Sequence, residues 1–216
     1  MTRDEVKARI EEIGIFPGIR VASARQAHYA AETLYGAGIP IAEITMTVPE
    51  AIDIIRDLAQ RFPDLVVGAG TVLDSETAKR CLDAGARFIT STGLVLDVMQ
   101  LTIAANVVSI PGALTPTEVI AAWKAGADFV KVFPAASVGG DLYIRSLKLP
   151  LPQVRIIAAG GVNQQTAADF IRAGASALGV GSELLPRDAL SKRQKQRIHE
   201  LARRFLGFVS AARAVS

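Results

Sequence analysis

Cysteine is almost absent from this sequence, since Cys81 is the only one among 216 residues. An intrachain disulfide is therefore impossible, which excludes a small disulfide-stabilised secreted domain. One unpaired cysteine is typical of a reducing compartment. Residues 1–12 are charged and lack the apolar stretch of a signal peptide. We therefore expect a soluble, cytoplasmic protein.

Long hydrophobic runs are also missing, because none reaches the ~20 apolar residues that a membrane-spanning helix needs. We therefore expect no membrane partner. Excess positive charge is small, at +3, and lies mainly in the last predicted helix. No aromatic residues interleave with it and no nucleic-acid motif accompanies it, so we interpret this segment as a solvated helix face. The positive charge of this segment is concentrated around Lys192, Arg193, Lys195, Arg197, Arg203 and Arg204.

Histidine is scarce as well. His28 and His199 fall in separate helical segments, and no cluster of Asp, Glu or His at strand ends has the spacing of metal ligands. The sequence therefore predicts no metal site and no other cofactor.

A short apolar run followed by an amphipathic segment recurs eight times along the chain. The runs start roughly 20 to 25 residues apart, the length of one βα unit. Glycines suited to cap helices precede several runs, at Gly38, Gly85, Gly126 and Gly174. The predicted strands are 15–21, 41–47, 65–72, 88–92, 107–111, 129–134, 155–161 and 177–182.

Eight βα units in this length predict an α/β fold of one domain over residues 1–216, a (β/α)8 or TIM barrel. Residues 2–12 form a helix before the first strand and are expected to cover the barrel floor, and residues 191–213 form the closing helix. An open doubly wound sheet is the alternative. It usually carries G-x-G-x-x-G after its first strand, where this chain has Pro17-Gly-Ile-Arg20.

Two charged residues fall on the interior faces of predicted strands. Alternation along Phe129-Val-Lys-Val-Phe133 places Phe129, Lys131 and Phe133 on the face opposite the two valines. The same rule in Ile41–Thr47 points Glu43 into the barrel. A structural salt bridge would explain the pair, but buried pairs are often no more stabilising than apolar packing.

A chemical role explains the pair better. A lysine removed from water is partly neutral near pH 7 and can attack a carbonyl carbon, and a nearby carboxyl group can transfer protons. Lys131 and Glu43 therefore form the predicted catalytic pair of a Schiff-base enzyme, with Lys131 as the amine that attacks a carbonyl carbon.

Glycines follow the last two predicted strands, in Ala158-Ala-Gly-Gly-Val162 and Gly179-Val-Gly-Ser182. In barrels, the loops after strands 7 and 8 often bind phosphate, because glycine lets backbone N–H groups approach the anion. Tight turns alone would also account for these glycines. We predict a phosphate site at Gly160, Gly161, Gly181 and Ser182.

Together these residues make the chain resemble the 2-keto-3-deoxy-6-phosphogluconate (KDPG) and 4-hydroxy-2-oxoglutarate (KHG) aldolase family, nearly from end to end. The motifs that carry the resemblance are Glu43-Ile-Thr, Gly68-Ala-Gly-Thr-Val72, Pro111-Gly112 with Thr115-Pro-Thr-Glu118, Lys131-Val-Phe-Pro-Ala135, Gly160-Gly-Val162 and Gly179-Val-Gly-Ser182.

The resemblance implies a homotrimeric class I aldolase, a lyase without metal, that releases pyruvate from a keto acid through a lysine Schiff base. The expected products are pyruvate and glyceraldehyde 3-phosphate, or pyruvate and glyoxylate from 4-hydroxy-2-oxoglutarate. Besides the phosphate-site residues, it implies substrate binding by Arg20, Thr71, Thr92 and Phe133.

Three positions depart from the family pattern. Thr47 replaces an arginine that binds the substrate carboxylate in many members, whereas Arg20 matches an arginine that other members carry after strand 1. Ser91-Thr-Gly93 replaces Ser-Pro-Gly or Ser-Pro-His, and Ala159 replaces the threonine of Thr-Gly-Gly. The reaction type is kept, but the substrate is less defined.

Two other classes stay open from the residues themselves. A phosphosugar isomerase or synthase on the same barrel would share the phosphate loops without needing an imine-forming lysine. A non-catalytic binding barrel would be expected to have lost one of Lys131 and Glu43, and both are present.

Overall fold

The architecture of the chain, described here for residues 1–214 of a computed structural model, is a barrel of parallel strands surrounded by helices. The prediction of an α/β barrel is confirmed. The strands are β1 (Ile15–Ile19), β2 (Ile41–Thr45), β3 (Val66–Gly70), β4 (Phe88–Thr90), β5 (Val108–Ile110), β6 (Gly112–Ala113), β7 (Val130–Val132), β8 (Ile156–Ala159) and β9 (Ala177–Val180). In space they follow the order β5-β4-β3-β2-β1-β9-β8-β7-β6.

One predicted strand is divided in two. The run predicted to end at Pro111 continues beyond it, and Pro111 separates β5, which pairs with β4, from β6, which pairs with β7. Proline has no N–H to donate, so the ladder is interrupted there. Its carbonyl still accepts a hydrogen bond from the backbone N–H of Lys131 at 2.9 Å. The two short strands thus occupy the fifth strand position and complete the ring.

Helices follow the strands as the amphipathic segments predict. They are α1 (Arg3–Ile13), α2 (Ala24–Gly36), α3 (Ala51–Arg61), α4 (Ser75–Asp83), α5 (Leu96–Ala104), α6 (Pro116–Lys124), α7 (Asp141–Lys148), α8 (Ala167–Arg172), α9 (Arg187–Ser191) and α10 (Lys195–Arg213). The predicted closing helix begins later than expected, because the short α9 precedes it. The predicted glycine caps all have positive φ, at Gly38, Gly85, Gly126 and Gly174.

The helix before β1 covers the barrel floor, as predicted. Val6 and Ile10 of α1 are buried in the same cluster as the inward residues at the strand N-termini, among them Phe16, Phe88 and Phe129. Arg3 donates to the buried Asp128 at 2.9 Å and ties α1 to the segment before β7. The N-terminal end of the barrel is therefore closed by packed side chains.

Alternating residues of each strand pack outward against the helices. Ala42 and Ile44 of β2, and Val130 and Val132 of β7, belong to this outer core, which leaves Glu43 and Lys131 facing inward. Within residues 1–214, no helix combines the length and apolar character needed to cross a membrane.

Candidate active site

A large opening into the barrel lies at the C-terminal ends of the strands. It is a cavity of about 1110 Å³ that reaches from the β1, β8 and β9 loops down to the barrel interior. Active sites of TIM barrels form at this end. Eight of the residues predicted for the site line this one cavity: Arg20, Glu43, Lys131, Phe133, Gly160, Gly161, Gly181 and Ser182.

Lys131 and Glu43 meet at the bottom of this cavity. Lys131 Nζ donates to Glu43 Oε1 at 3.1 Å, and the two side chains are 16% and 5% exposed. Solvent therefore reaches part of the lysine side chain, while the carboxyl group is almost fully enclosed. This distance allows direct proton transfer between the amine and the carboxyl group, which imine chemistry requires.

Thr90, which the sequence analysis did not identify, completes this pair. It is fully buried on β4 and its hydroxyl donates a short hydrogen bond to the same Glu43 Oε1. The alternation rule contained the signal, because Phe88 faces inward and Thr90 is two residues later. Thr90 fixes the carboxyl group in the orientation that reaches Lys131.

Glycines on both sides of Glu43 leave the volume that its side chain occupies. A Cβ atom at Gly70 would lie 2.6 Å from the Glu43 Cδ, and one at Gly18 would lie 3.1 Å from Oε2. Gly18 pairs in register with Glu43 on β1, and Gly70 lies on β3 opposite Thr45. The interior glycines of β1 and β3 therefore accommodate a buried carboxyl group in a narrow barrel.

Arg20 projects from the end of β1 toward β3. Its Nη2 lies 3.4 Å from Thr71 Oγ1, so the guanidinium crosses above β2. Thr47, at the family's arginine position, is exposed and its hydroxyl lies 2.8 Å from Thr45 Oγ1. The cationic group above Glu43 thus comes from β1 and not from the end of β2.

The loops after β8 and β9 have the backbone that the glycine pattern predicts. Gly160 and Gly161 have φ values of 84° and 83°. A Cβ at Gly160 would approach Pro134 Cα to 2.9 Å, and one at Gly161 would approach Ala136 Cβ to 2.3 Å. Only glycine fits both the conformation and the space. Ser182 follows Gly181 on the neighbouring loop and lines the cavity beside them.

Two predicted site residues lie outside the cavity lining. Thr71 does not line the cavity, but its Oγ1 lies 3.4 Å from Nη2 of Arg20, which does. Thr92 is exposed in a turn in which Ser91 Oγ donates to the Gly93 carbonyl at 2.6 Å. Strand alternation does not apply in this turn, because β4 ends at Thr90. Roles of Thr71 and Thr92 in substrate binding stay predictions.

No group of three or more His, Cys, Asp and Glu side chains in residues 1–214 is arranged to hold a metal ion. His28 and His199 lie on α2 and α10, outside the cavity lining.

Comparison with known proteins shows the family. The model of the family described as KDPG and KHG aldolase matches residues 6–201. The chain belongs to this family. The KHG/KDPG aldolase of Escherichia coli K12 is 32% identical over 189 residues, which are 88% of this chain and 89% of the relative. The predictions of an aldolase, and hence of a lyase, are confirmed.

Solved aldolase structures of the family match the fold. A KDPG aldolase from Legionella pneumophila, with pyruvate captured as a covalent carbinolamine intermediate, has a TM-score of 0.84 at 28% identity, covering 91% of this chain and 96% of that one. The KDPG aldolase of Zymomonas mobilis ZM4 with 3-phosphoglycerate also has a TM-score of 0.84, at 26% identity, covering 96% and 97%. The barrel is thus the fold of the KDPG aldolases.

Proposed function

We propose that this class I aldolase cleaves a 2-keto-3-deoxy sugar acid, with 2-keto-3-deoxy-6-phosphogluconate as the first candidate, to pyruvate and glyceraldehyde 3-phosphate. Cleavage of 4-hydroxy-2-oxoglutarate to pyruvate and glyoxylate is the second candidate. The observation that carries the proposal is the enclosed contact of 3.1 Å between Lys131 Nζ and Glu43 Oε1.

Imine formation begins with a proton transfer along this contact. Glu43 accepts a proton from the Lys131 ammonium, and the neutral Nζ attacks C2 of the keto acid to form a carbinolamine. Glu43 then returns the proton to the C2 hydroxyl, which leaves as water. The product is a protonated imine, and Glu43 is a carboxylate again.

Carbon–carbon cleavage uses the same carboxylate as a base. Glu43 removes the proton of the C4 hydroxyl, directly or through one water, and the C4 oxygen becomes the aldehyde carbonyl. The electrons of the C3–C4 bond move to the imine and form an enamine on Lys131. Glu43 protonates C3, and hydrolysis of the new imine releases pyruvate.

Substrate binding follows the charges and backbone of the cavity. Arg20, Thr71 and Thr92 would bind the carboxylate next to the reacting ketone. Phe133, which is 39% exposed at the mouth, would pack against the carbon chain. Gly160, Gly161, Gly181 and Ser182 would bind a phosphate through their N–H groups and the serine hydroxyl.

Trapping with pyruvate and borohydride tests the proposal. Reduction of the imine should leave one pyruvyl adduct, at Lys131, in a peptide map. Lys148 is an internal control, because burial lowers its pKa but its Nζ is bound to the carbonyls of Pro152 and Val154 at 2.7 and 2.8 Å. Absence of an adduct, or an adduct elsewhere, would contradict the proposal and favour an isomerase or synthase that needs no imine.

A substrate screen defines the specificity. Release of pyruvate from 2-keto-3-deoxy acids, with and without phosphate and with both configurations at C4, should identify the preferred substrate. If 4-hydroxy-2-oxoglutarate is cleaved fastest, the order of the two candidates is reversed.

We also propose a homotrimer, as the family resemblance implies. Exposed apolar side chains support an association, among them Leu73, Leu96, Leu142 and Leu149, which are between 50% and 79% exposed. Light scattering at micromolar concentration should give three times the mass of the chain, and a monomer would contradict the proposal. A cytoplasmic location stays a prediction from the single cysteine.

A further inference from the structure

The charges that line the cavity are not all paired. Three cations line it, at Arg20, Lys131 and Arg187. Lys131 is bound to Glu43, and Arg20 lies 3.4 Å from Thr71 Oγ1. The Arg187 guanidinium has neither an ion pair nor a hydrogen bond within the part of the chain that the structure describes. An unpaired cation at the mouth of a ligand cavity is available to an anionic ligand.

Arg187 stands beside the glycine loops because of a short, well-anchored connection. Gly181 O accepts hydrogen bonds from the N–H groups of Leu184 and Leu185, both at 3.0 Å, and this turn leads directly into α9. Buried side chains hold the segment on either side of Arg187, with Leu184 and Leu185 before it and Ala189 and Leu190 after it. The backbone of Arg187 is therefore fixed relative to Gly181 and Ser182.

Two acidic residues line the same part of the cavity. Asp188 is neutralised by Arg197, whose Nη1 lies 2.5 Å from Asp188 Oδ2. Glu183 is exposed on the loop after β9 and lines the cavity. Its negative charge would repel an anionic ligand bound at this loop. Arg20 is directed toward β3, away from this loop. Arg187 follows Glu183 by four residues and lines the same cavity, so it is the cation that can offset the charge of Glu183.

We propose that Arg187 is a specificity-determining residue that binds the terminal phosphate monoester of the aldehyde half of the substrate, together with the N–H groups of the β8 and β9 loops. This inference rests on the proposed aldolase reaction. A guanidinium can form two parallel hydrogen bonds to a phosphate, and lysine offers only a point charge. Arg187 therefore selects phosphorylated over unphosphorylated aldehydes and has no part in the imine chemistry.

Aldol addition of pyruvate to either glyceraldehyde 3-phosphate or glyceraldehyde tests this selection, because the two acceptors differ only in the phosphate. For Arg187→Ala, kcat/KM for the phosphorylated acceptor should fall about 10- to 100-fold, the usual effect of losing a hydrogen bond to a charged group. The value for glyceraldehyde should stay within about 2-fold of that of the unmodified protein, and Arg187→Lys should recover part of the loss.

Arg145→Ala is the matched control, since Arg145 is exposed on α7, unpaired within residues 1–214 and outside the cavity lining. Arg145→Ala should leave kcat/KM for both acceptors unchanged. Raising the salt from about 0.05 M to about 0.5 M should reduce the preference for phosphate in the unmodified protein but not in Arg187→Ala. Glu183→Gln should increase that preference.

Trapping of pyruvate separates the two possible failures. If the unmodified protein forms no adduct at Lys131, the proposed function fails. If it forms the adduct but Arg187→Ala leaves the ratio of kcat/KM for the two acceptors unchanged, the proposed reaction stands and the proposed role of Arg187 is wrong. An equal fall in kcat/KM for both acceptors is one form of this result.

Discussion

Glu43 Oε1 accepts two hydrogen bonds from side chains on two other strands of the barrel, one from Lys131 Nζ on β7 and one from the Thr90 hydroxyl on β4. Lys131 and Glu43 are 88 residues apart in sequence. They meet because both strands turn alternate residues inward and because glycines beside Glu43 leave space for it. Each part of this arrangement can be changed separately.

Replacement of Glu43 by Gln should remove proton transfer while keeping the shape of the side chain. We expect kcat to fall about 10²- to 10⁴-fold, the usual contribution of a general acid–base group. Borohydride trapping should still detect a slowly formed imine at Lys131. Steady-state cleavage assays measure kcat, and a near-normal value would remove Glu43 from the mechanism.

Loss of the Thr90 hydroxyl should leave Glu43 without the donor that orients it. For Thr90→Val, we expect kcat to fall by about 10-fold, in line with one hydrogen bond to a charged group, and KM to change little. Thr90→Ser keeps the hydroxyl and should restore most of the activity. If the serine variant is as impaired as the valine variant, the effect comes from packing and not from orientation of Glu43.

A methyl group at position 70 should displace the carboxyl group of Glu43. The Gly70→Ala Cβ would lie 2.6 Å from Glu43 Cδ, below any normal contact distance, so we expect a large loss of kcat. Gly93→Ala is the control, because nothing lies within 4 Å of a Cβ there. Circular dichroism should show folded protein for both variants. Full activity of Gly70→Ala would show that Glu43 can move without loss of function.

Arg20 should contribute mainly to binding, because the substrate carboxylate is charged throughout the reaction. Arg20→Ala should raise KM for the keto acid strongly and lower kcat less. Arg20→Lys should recover only part of the loss, since lysine cannot form two parallel hydrogen bonds to a carboxylate. An unchanged KM would assign the carboxylate to other groups, such as backbone N–H groups near Thr71 and Thr92.

The thiol of Cys81 should be inert in the folded protein. Burial raises its pKa to about 11 from an ordinary value of 9.0, and its Sγ lies 3.6 Å from Met46 Sδ. The folded state therefore disfavours the thiolate, so stability present below pH 9 is lost as the pH rises toward 11. Thiol reagents at pH 8 should label the chain only after denaturation. Cys81→Ala should lose less stability than the unmodified protein between those pH values.

Much of the site could be predicted because strand alternation carries the information. It placed Lys131 and Glu43 in the interior, and applied to β4 it would also have placed Thr90 there. The contact between Arg20 and Thr71 could not be predicted in this way, since it depends on how a long side chain crosses a neighbouring strand. Thr92 lies in a turn beyond β4, where no periodicity fixes the direction of a side chain.

The fold was predictable to a similar depth. The eight apolar runs and the capping glycines specify the βα units, because each buried strand and each helix end has its own local pattern. The division of the fifth strand at Pro111 was harder to predict from the sequence. The residues around Pro111 form one apolar run, and the division follows only from their different pairing partners, β4 before Pro111 and β7 after it.

Val6 and Ile10 close the floor of the barrel, so the cavity is entered from the opposite end. Keto acid, aldehyde and pyruvate all pass through the mouth at the strand C-termini. In the proposed reaction, the pyruvate half is tethered to Lys131 at the bottom, beneath the aldehyde half. Depth in the cavity therefore sets the order of binding and release. The aldehyde has to dissociate before pyruvate can, and in the reverse direction pyruvate has to bind first.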